Sequence, residues 1–192
     1  LQNPAAKEIR LVFGGTTSGK HAGGMARRSF LNGPFALKQW AANLINVKGN
    51  KIPKSYQQAA KLTKNTQRML ESDPAYRGFK LKVSGHSKGG AEASYSAMTL
   101  EKPVEAICFS SAQLGSQVMA QIPEDNQKKA SKYINHFAIK GDPVPHMNFL
   151  AKHLSHLGTL TIIPPKSSMS TFIDRHDQFC KHIHHFADAD PT

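Results

Sequence analysis

A chain of 192 residues in which 39% are hydrophobic is long enough to bury one sizeable core, so its composition excludes an intrinsically disordered protein. Lys and Arg number 25 against 13 Asp and Glu, and no apolar run approaches the ~20 residues that a membrane-spanning helix needs. Two cysteines are too few for a disulfide framework, and Cys108, inside an apolar run, is expected to be a buried thiol. We expect one domain over residues 1–192, and a chain that begins at Leu1 favours a processed or truncated piece.

The first half of the chain alternates predicted strands with predicted helices. An apolar strand is predicted in "IRLVFGG", where it enters a glycine-rich turn, and a short amphipathic helix in "FALKQWAANLI". Apolar side chains recur at helical spacing over residues 54–71, which predicts a longer helix. The segment "SDPAYRG" is typical of a turn, and the alternating segment "FKLKVSG" predicts the next strand.

The second half continues this alternation. Residues 88–100, rich in Ala and Ser, predict a helix, "VEAICFSS" predicts a strand, and "QLGSQVMAQI" predicts a weak helix. Further strands are predicted in "YINHFAIKGD" and "LGTLTIIPP", and a last helix over residues 171–186. Strands separated by helices indicate a mostly parallel sheet with helices on its faces, which is the α/β class.

The loop "VFGGTTSGKH" nearly matches a phosphate-binding loop. Gly14, Gly19 and Lys20 have the spacing G-x-x-x-x-G-K, but His21 stands where Ser or Thr would bind magnesium. The following "AGGM" also disfavours the helix that such a loop requires. Nucleotide binding therefore stays a weak alternative, which predicts magnesium-dependent protection from unfolding by ATP.

A second motif indicates a catalytic function more clearly than the loop indicates nucleotide binding. Residues 85–89 read Gly-His-Ser-Lys-Gly and fit G-x-S-x-G, with a predicted strand before them and a predicted helix after them. A nucleophile on so sharp a turn needs neighbours without side chains two positions before and after it, which Gly85 and Gly89 supply. The pattern predicts that Ser87 is a nucleophile, and an ordinary structural turn is the alternative.

Four segments of the chain resemble the class 3 lipase-like group of the α/β-hydrolases. "VSGHSKGGAEAS" is similar to that group's elbow, and its Lys to a bacterial branch; "LVFGGTT" resembles the strand end "VxFRGT", with Gly14 where Arg is usual. "INHFAIKGDPVPHM" resembles the acid segment "D-x-V-P", and "FIDRHDQF" the late histidine segment. The resemblance implies an α/β-hydrolase-like fold with helices on both faces of the sheet, whose first strands are absent or lie upstream.

The resemblance also implies an oxyanion hole, the set of N–H donors that stabilises the negative charge of an attacked ester carbonyl. Lys88, which follows the nucleophile, would offer one backbone N–H, and Thr16 would offer the other together with its hydroxyl. This chemistry requires neither a cofactor nor a metal, and we expect none.

A triad needs an acid after the nucleophile in chain order. Asp142 follows the predicted strand "INHFAIKG", so it lies at a strand end on the same sheet edge as Ser87, and "GDPVP" forms a rigid turn. Asp142 is therefore the predicted acid, with a turn-forming Asp before Pro as the alternative. Glu124 and Asp125 fall in a predicted polar loop and are weaker candidates.

The histidine is harder to choose, because seven follow Asp142. In the family the histidine follows the last strand, and His176 fits that place, whereas His146 lies too close to the acid. The alternatives are the histidines of "KHIHHF", which also form a rival candidate zinc site without an obvious carboxylate or thiolate partner. These alternatives are His182, His184 and His185.

Function and partners follow from the resemblance and from the charge. Between Ile9 and Leu70 there are 11 basic residues and no acidic one, and residues 18–53, a possible lid, mix apolar with basic side chains. Such a surface suits contact with an anionic membrane, whereas nucleic acid is a less favoured partner. The alternatives are an ordinary capping helix in place of a lid and a basic face that is only solvated. We expect a serine hydrolase of acyl lipids, of phospholipase A or lipase type, acting at a membrane surface or outside the cell. The alternatives are an acyltransferase or thioesterase with the same triad, and an idle hydrolase-like module that binds lipid or protein.

Overall fold

The computed structural model of the chain describes residues 1–15, 52–149, 152–166 and 175–176. The predicted helix in "FALKQWAANLI", almost all of the possible lid at 18–53, and most of the predicted helix at 171–186 lie outside these residues. No helix among the described residues is long and apolar enough to cross a membrane.

A mostly parallel sheet of six strands forms the centre of the described structure, as predicted. Its spatial order is β1-β2-β3-β4-β6-β8, and every neighbouring pair is parallel except the first. These strands are β1 (Gln2–Asn3), β2 (Glu8–Phe13), β3 (Lys80–His86), β4 (Glu105–Phe109), β6 (Ile134–Ile139) and β8 (Thr159–Ile163). A separate two-stranded antiparallel sheet joins β5 (Leu114–Gly115) to β7 (Leu154–Ser155). The short antiparallel β1 was not expected, because two polar residues carry no strand pattern.

Two longer helices pack against one another and against β3. The first, α1 (Lys54–Ser72), buries residues at helical spacing, among them Tyr56, Ala59 and Leu70. The second, α2 (Lys88–Met98), buries nearly all its residues, most of which are Gly, Ala or Ser. Because small side chains allow close approach, α2 lies directly against β3 and β4, and the main core forms between this helix layer and the sheet.

Two further short helices follow. The segment predicted as a weak helix divides into β5 and α3 (Ser116–Met119), and α4 spans Glu124–Lys129. The predicted polar loop around Glu124 and Asp125 is thus wrong. Both acids lie in the first turn of α4 and two lysines in its last turn, an order that complements the helix dipole.

Parallel strands bring their carboxyl ends to one edge of the sheet, and the candidate site lies there. β3 ends at His86 and leads directly into α2, so Ser87 stands at the junction. β6 ends at Ile139, three residues before Asp142. After Asp142 the chain forms 3₁₀ turns over Val144–Phe149, with a break in helical geometry at His146. Crevices at this edge are the usual ligand sites of parallel α/β sheets.

Candidate active site

Ser87 has a backbone conformation that side chains rarely adopt. Its φ is 57° and its ψ is −125°, and a non-glycine residue at such angles stores about 1–3 kcal/mol of strain. Hydrogen bonds hold it there: its N–H donates to the carbonyl of Phe109 at 3.0 Å, and its own carbonyl accepts from Gly90 and Ala112, each at 3.1 Å. The elbow is therefore tied to the ends of β4 and of α2.

The two glycines of the motif are required by close approach of the backbone. A Cβ on Gly85 would lie 2.2 Å from the carbonyl oxygen of Gly89, and a Cβ on Gly89 would lie 2.2 Å from that of Phe13. The steric reason given for Gly85 and Gly89 from the sequence thus applies, and it extends further than expected. Gly89 also lets the turn after β2 approach the elbow, and a Cβ on Gly15 would lie 3.2 Å from the Cβ of Ser87.

Asp142 is held rigidly at the end of β6. Gly141, the residue before it, has a φ of +86°. The N–H of Asp142 donates to the carbonyl of Ile139 at 3.0 Å, and Oδ1 of Asp142 accepts from the N–H of Val144 at 3.0 Å. The residue is 1% exposed, so the second carboxylate oxygen needs a partner in the interior. That oxygen, Oδ2, lies 3.0 Å from Nδ1 of His176.

His176 lies between the acid and the serine. Its Nε2 is 3.0 Å from the Oγ of Ser87, its Nδ1 faces Asp142, and the residue is 3% exposed. With Nδ1 protonated and donating to the carboxylate, Nε2 has a lone pair directed at the serine hydroxyl. A buried serine, imidazole and carboxylate in this order can remove the hydroxyl proton and stabilise the imidazolium that forms.

The predicted oxyanion donors are only partly described. The Ser87–Lys88 peptide is planar, so with the Ser87 carbonyl hydrogen-bonded to Gly90 and Ala112, the Lys88 N–H points in the opposite direction. The side chain of Ser87 does not cap α2, and within the described residues no partner is seen for the Lys88 N–H. Thr16 lies outside the described residues, next to Gly15, whose close approach to the elbow is described above.

His86 is a neighbour of the site that the sequence did not single out. Its Nε2 lies 2.8 Å from the backbone carbonyl of His176, so this nitrogen carries the proton and donates. Its ring also lies against that of His176, with centroids 4.8 Å apart. The variable position before the nucleophile in G-x-S-x-G gave no signal for this contact, because the motif does not fix which side chain faces the histidine.

Other histidines form a second cluster, behind the acid turn. His136 is buried, its Nε2 donates to the carbonyl of Leu157, and its ring lies 4.5 Å from that of His156, which donates to the carbonyl of Pro145. Nδ1 of each ring is buried and has no hydrogen-bond partner among the described residues. Burial, and then the neighbouring His156, lower the pKa of His136 to about 4, and burial lowers the pKa of His156.

The remaining candidates have different outcomes. Lys20 and His21 of the phosphate-loop alternative, and His182, His184 and His185 of the zinc alternative, lie outside the described residues. Within the described ranges no group of three or more His, Cys, Asp or Glu side chains is arranged to hold a metal ion. Cys108 is buried as predicted, and burial raises the pKa of its thiol.

Comparison with known families gives one match. The model of the family "Lipase (class 3)" matches residues 11–152, which includes the end of β2, the elbow and Asp142 and ends before His176. The comparison with curated proteins gives no significant match.

Solved structures of α/β-hydrolases are similar to the chain at low identity. A dienelactone hydrolase from Anabaena variabilis is 15% identical with a TM-score of 0.46, over 95% of this chain and 86% of that protein. A mono- and diacylglycerol lipase from Aspergillus oryzae is 22% identical with a TM-score of 0.42, over 60% of this chain and 44% of the lipase. A peroxisomal α/β-hydrolase from Saccharomyces cerevisiae is 14% identical with a TM-score of 0.45, over 97% and 80%. The chain thus spans less than half of the Aspergillus lipase.

Proposed function

We propose that this chain, which belongs to the class 3 lipase family of carboxylic-ester hydrolases, cleaves acyl lipids through an acyl-enzyme on Ser87. The observation that carries the proposal is the chain of two 3.0 Å contacts from Asp142 through His176 to Ser87. An idle binding module would have no need to keep a strained serine against a buried imidazole and carboxylate.

The proposed reaction has two halves. His176 Nε2 takes the proton of Ser87 while Oγ attacks the acyl carbonyl, and the alkoxide or glycerol leaving group then takes that proton. The backbone N–H of Lys88, with Thr16, stabilises the oxyanion, and each such donor is worth about 3 kcal/mol. Water then attacks the acyl carbonyl and gives a proton to His176; the bond from Ser87 Oγ to the acyl group breaks, the fatty acid leaves, and His176 returns the proton to Oγ. Asp142 keeps the imidazole in the required tautomer throughout.

We propose that the enzyme is of the phospholipase A or lipase type and that it acts at an anionic phospholipid surface. The support is the outer face of α1, where four cations are exposed and make no ion pair in the described structure. Leu62 and Met69, 50% and 40% exposed, lie on the same helix, about a quarter turn around it from these cations. The four cations are Lys54, Lys61, Lys64 and Arg68.

Each cation close to an anionic bilayer adds about 1 kcal/mol of attraction, and salt screens that attraction over a Debye length of ~8 Å. We expect faster hydrolysis of vesicles that contain phosphatidylglycerol than of purely zwitterionic ones, and loss of the difference near 0.5 M salt. Changing Lys61, Lys64 and Arg68 to Glu should remove this preference and leave turnover of a small soluble ester unchanged. Equal rates on both vesicles at low salt would disprove the membrane contact without affecting the proposed chemistry.

The chemistry itself is tested with Ser87→Ala. We expect the wild type to hydrolyse p-nitrophenyl esters and to release fatty acids from phospholipid or glyceride, and the variant to lose at least a hundredfold in rate with an unchanged circular dichroism spectrum. A variant that keeps its rate would disprove the role of Ser87. Lysolipid among the products would indicate a phospholipase A, and acyl transfer to an added alcohol in preference to water would indicate an acyltransferase.

A further inference from the structure

The side chain of Lys88 makes contacts that a nucleophile elbow does not require. Its Nζ donates to the Oγ of Ser55 at 2.8 Å and lies 2.7 Å from Oε1 of Glu92, a charge contact rather than an aligned hydrogen bond. Ser55 belongs to the first turn of α1, and Glu92 lies one turn further along α2. Lys88 therefore connects the residue after the nucleophile to two helices at once.

These contacts are not explained by the stability of α2. A lysine in the first turn faces the positive end of the helix dipole, and a pair with Lys before Glu has the weaker of the two orientations. The exposed pair in α4, Glu124 with Lys128, has the favourable order. Glu92 is also only 6% exposed, and a buried carboxylate is costly unless it is paired. Burial, and then the charge of Glu92, raises the pKa of the neighbouring Tyr56 hydroxyl.

We propose that the Lys88 side chain is a positioning residue which, through Ser55 and Glu92, fixes the Lys88 backbone N–H at the oxyanion. The inference rests on the proposed function. Hydrogen bonds to the Ser87 carbonyl orient one end of the Ser87–Lys88 peptide, and the side-chain contacts hold the other end at the Lys88 Cα. A donor must keep its place while negative charge develops, and a displacement of about 1 Å can cost a hundredfold in rate.

The test separates positioning from stability with three variants. Lys88→Met should lower kcat on a soluble ester about tenfold or more with little change in KM, because only the transition state has the oxyanion. It should also lower Tm by about 4 °C or more, because Glu92 loses its partner. Lys88→Met with Glu92→Met should regain Tm and keep the low kcat. Lys128→Met, which breaks the exposed pair of α4, is the matched control and should change neither value.

A second readout does not depend on the natural substrate. A fluorophosphonate probe reacts when Ser87 Oγ bonds to phosphorus, fluoride leaves and His176 takes the proton, so its rate reports the nucleophile and the oxyanion donors together. We expect slow labelling of Lys88→Met and of the double variant. Wild type and Lys128→Met should both be labelled fast. Full recovery of kcat and labelling in the double variant would overturn the positioning role and leave only a structural one. A wild type that is not labelled at all would overturn the proposed function and this inference with it.

Discussion

Acidification should unfold this protein partly through His136. The residue is 1% exposed, and protonation would place a charge beside His156 on a ring whose Nδ1 has no acceptor in the part of the chain that the structure describes. The pKa of His136 falls from 6.5 to about 4 on folding, so between these values the unfolded chain binds more protons than the native one. The contribution of neutral His136 to the free energy of unfolding is complete above pH 6.5 and is lost as the pH falls towards 4.

The size of this loss follows from the two pKa values. At 1.36 kcal/mol for each pKa unit, the difference between 6.5 and about 4 corresponds to about 3 kcal/mol of unfolding free energy. A typical domain has about 5–15 kcal/mol in total, so this one side chain can account for a large share of acid sensitivity. His156, whose pKa is also lowered by burial, should add to the loss in the same direction.

The assay is urea unfolding, followed by circular dichroism, at a series of pH values from 7.5 to 4.5. His136→Gln keeps an amide N–H that can donate to the carbonyl of Leu157 but cannot be protonated. We expect this variant to be less stable at pH 7.5, and its free energy of unfolding to fall less steeply below pH 6.5 than that of the wild type. Identical slopes for the two proteins would refute the reasoning.

Three further predictions follow from the geometry of the site and the core. Asp142→Asn should lower kcat about 10⁴-fold with the fold retained, because the amide favours the wrong tautomer of His176; a fall of less than tenfold would contradict the role of the acid. Gly89→Ala should destabilise the protein by about 2 kcal/mol or more despite a helix-propensity gain of about 1 kcal/mol, since its Cβ would lie 2.2 Å from the carbonyl oxygen of Phe13. Gly115→Ala is the control, because among the described residues its Cβ would meet nothing nearer than 3.9 Å, and equal effects of the two substitutions in urea unfolding would argue against the close approach. In a Cys180→Ser background, Cys108 should react with a thiol reagent only on unfolding, because the thiol is buried and its pKa raised; rapid labelling of the native protein would exclude a buried position.

Local rules in the sequence were enough for the elbow and for the alternation of strands and helices along the chain. A strand, two glycines around Ser87 and a run of small residues depend only on neighbours in the chain, and each appears in the structure where it was predicted. The position of Asp142 followed in the same way, because parallel strands place their carboxyl ends at one edge. Helix α4 was missed because its short polar segment has no apolar periodicity and is stabilised at its ends by charge.

The resemblance indicated His176, but only the tertiary structure shows its contacts with Ser87 and Asp142. Seven histidines follow Asp142, and neither spacing nor composition says which ring can lie 3.0 Å from both the serine and the acid. The catalytic role of His176 stays a prediction until its variants are assayed. The contacts of His86 and of the Lys88 side chain were also visible only in the tertiary structure, because they join residues up to 90 positions apart. A pattern in the sequence reports what each residue requires of its chain neighbours, whereas such pairs depend on how the sheet and helices pack, and only the fold decides them.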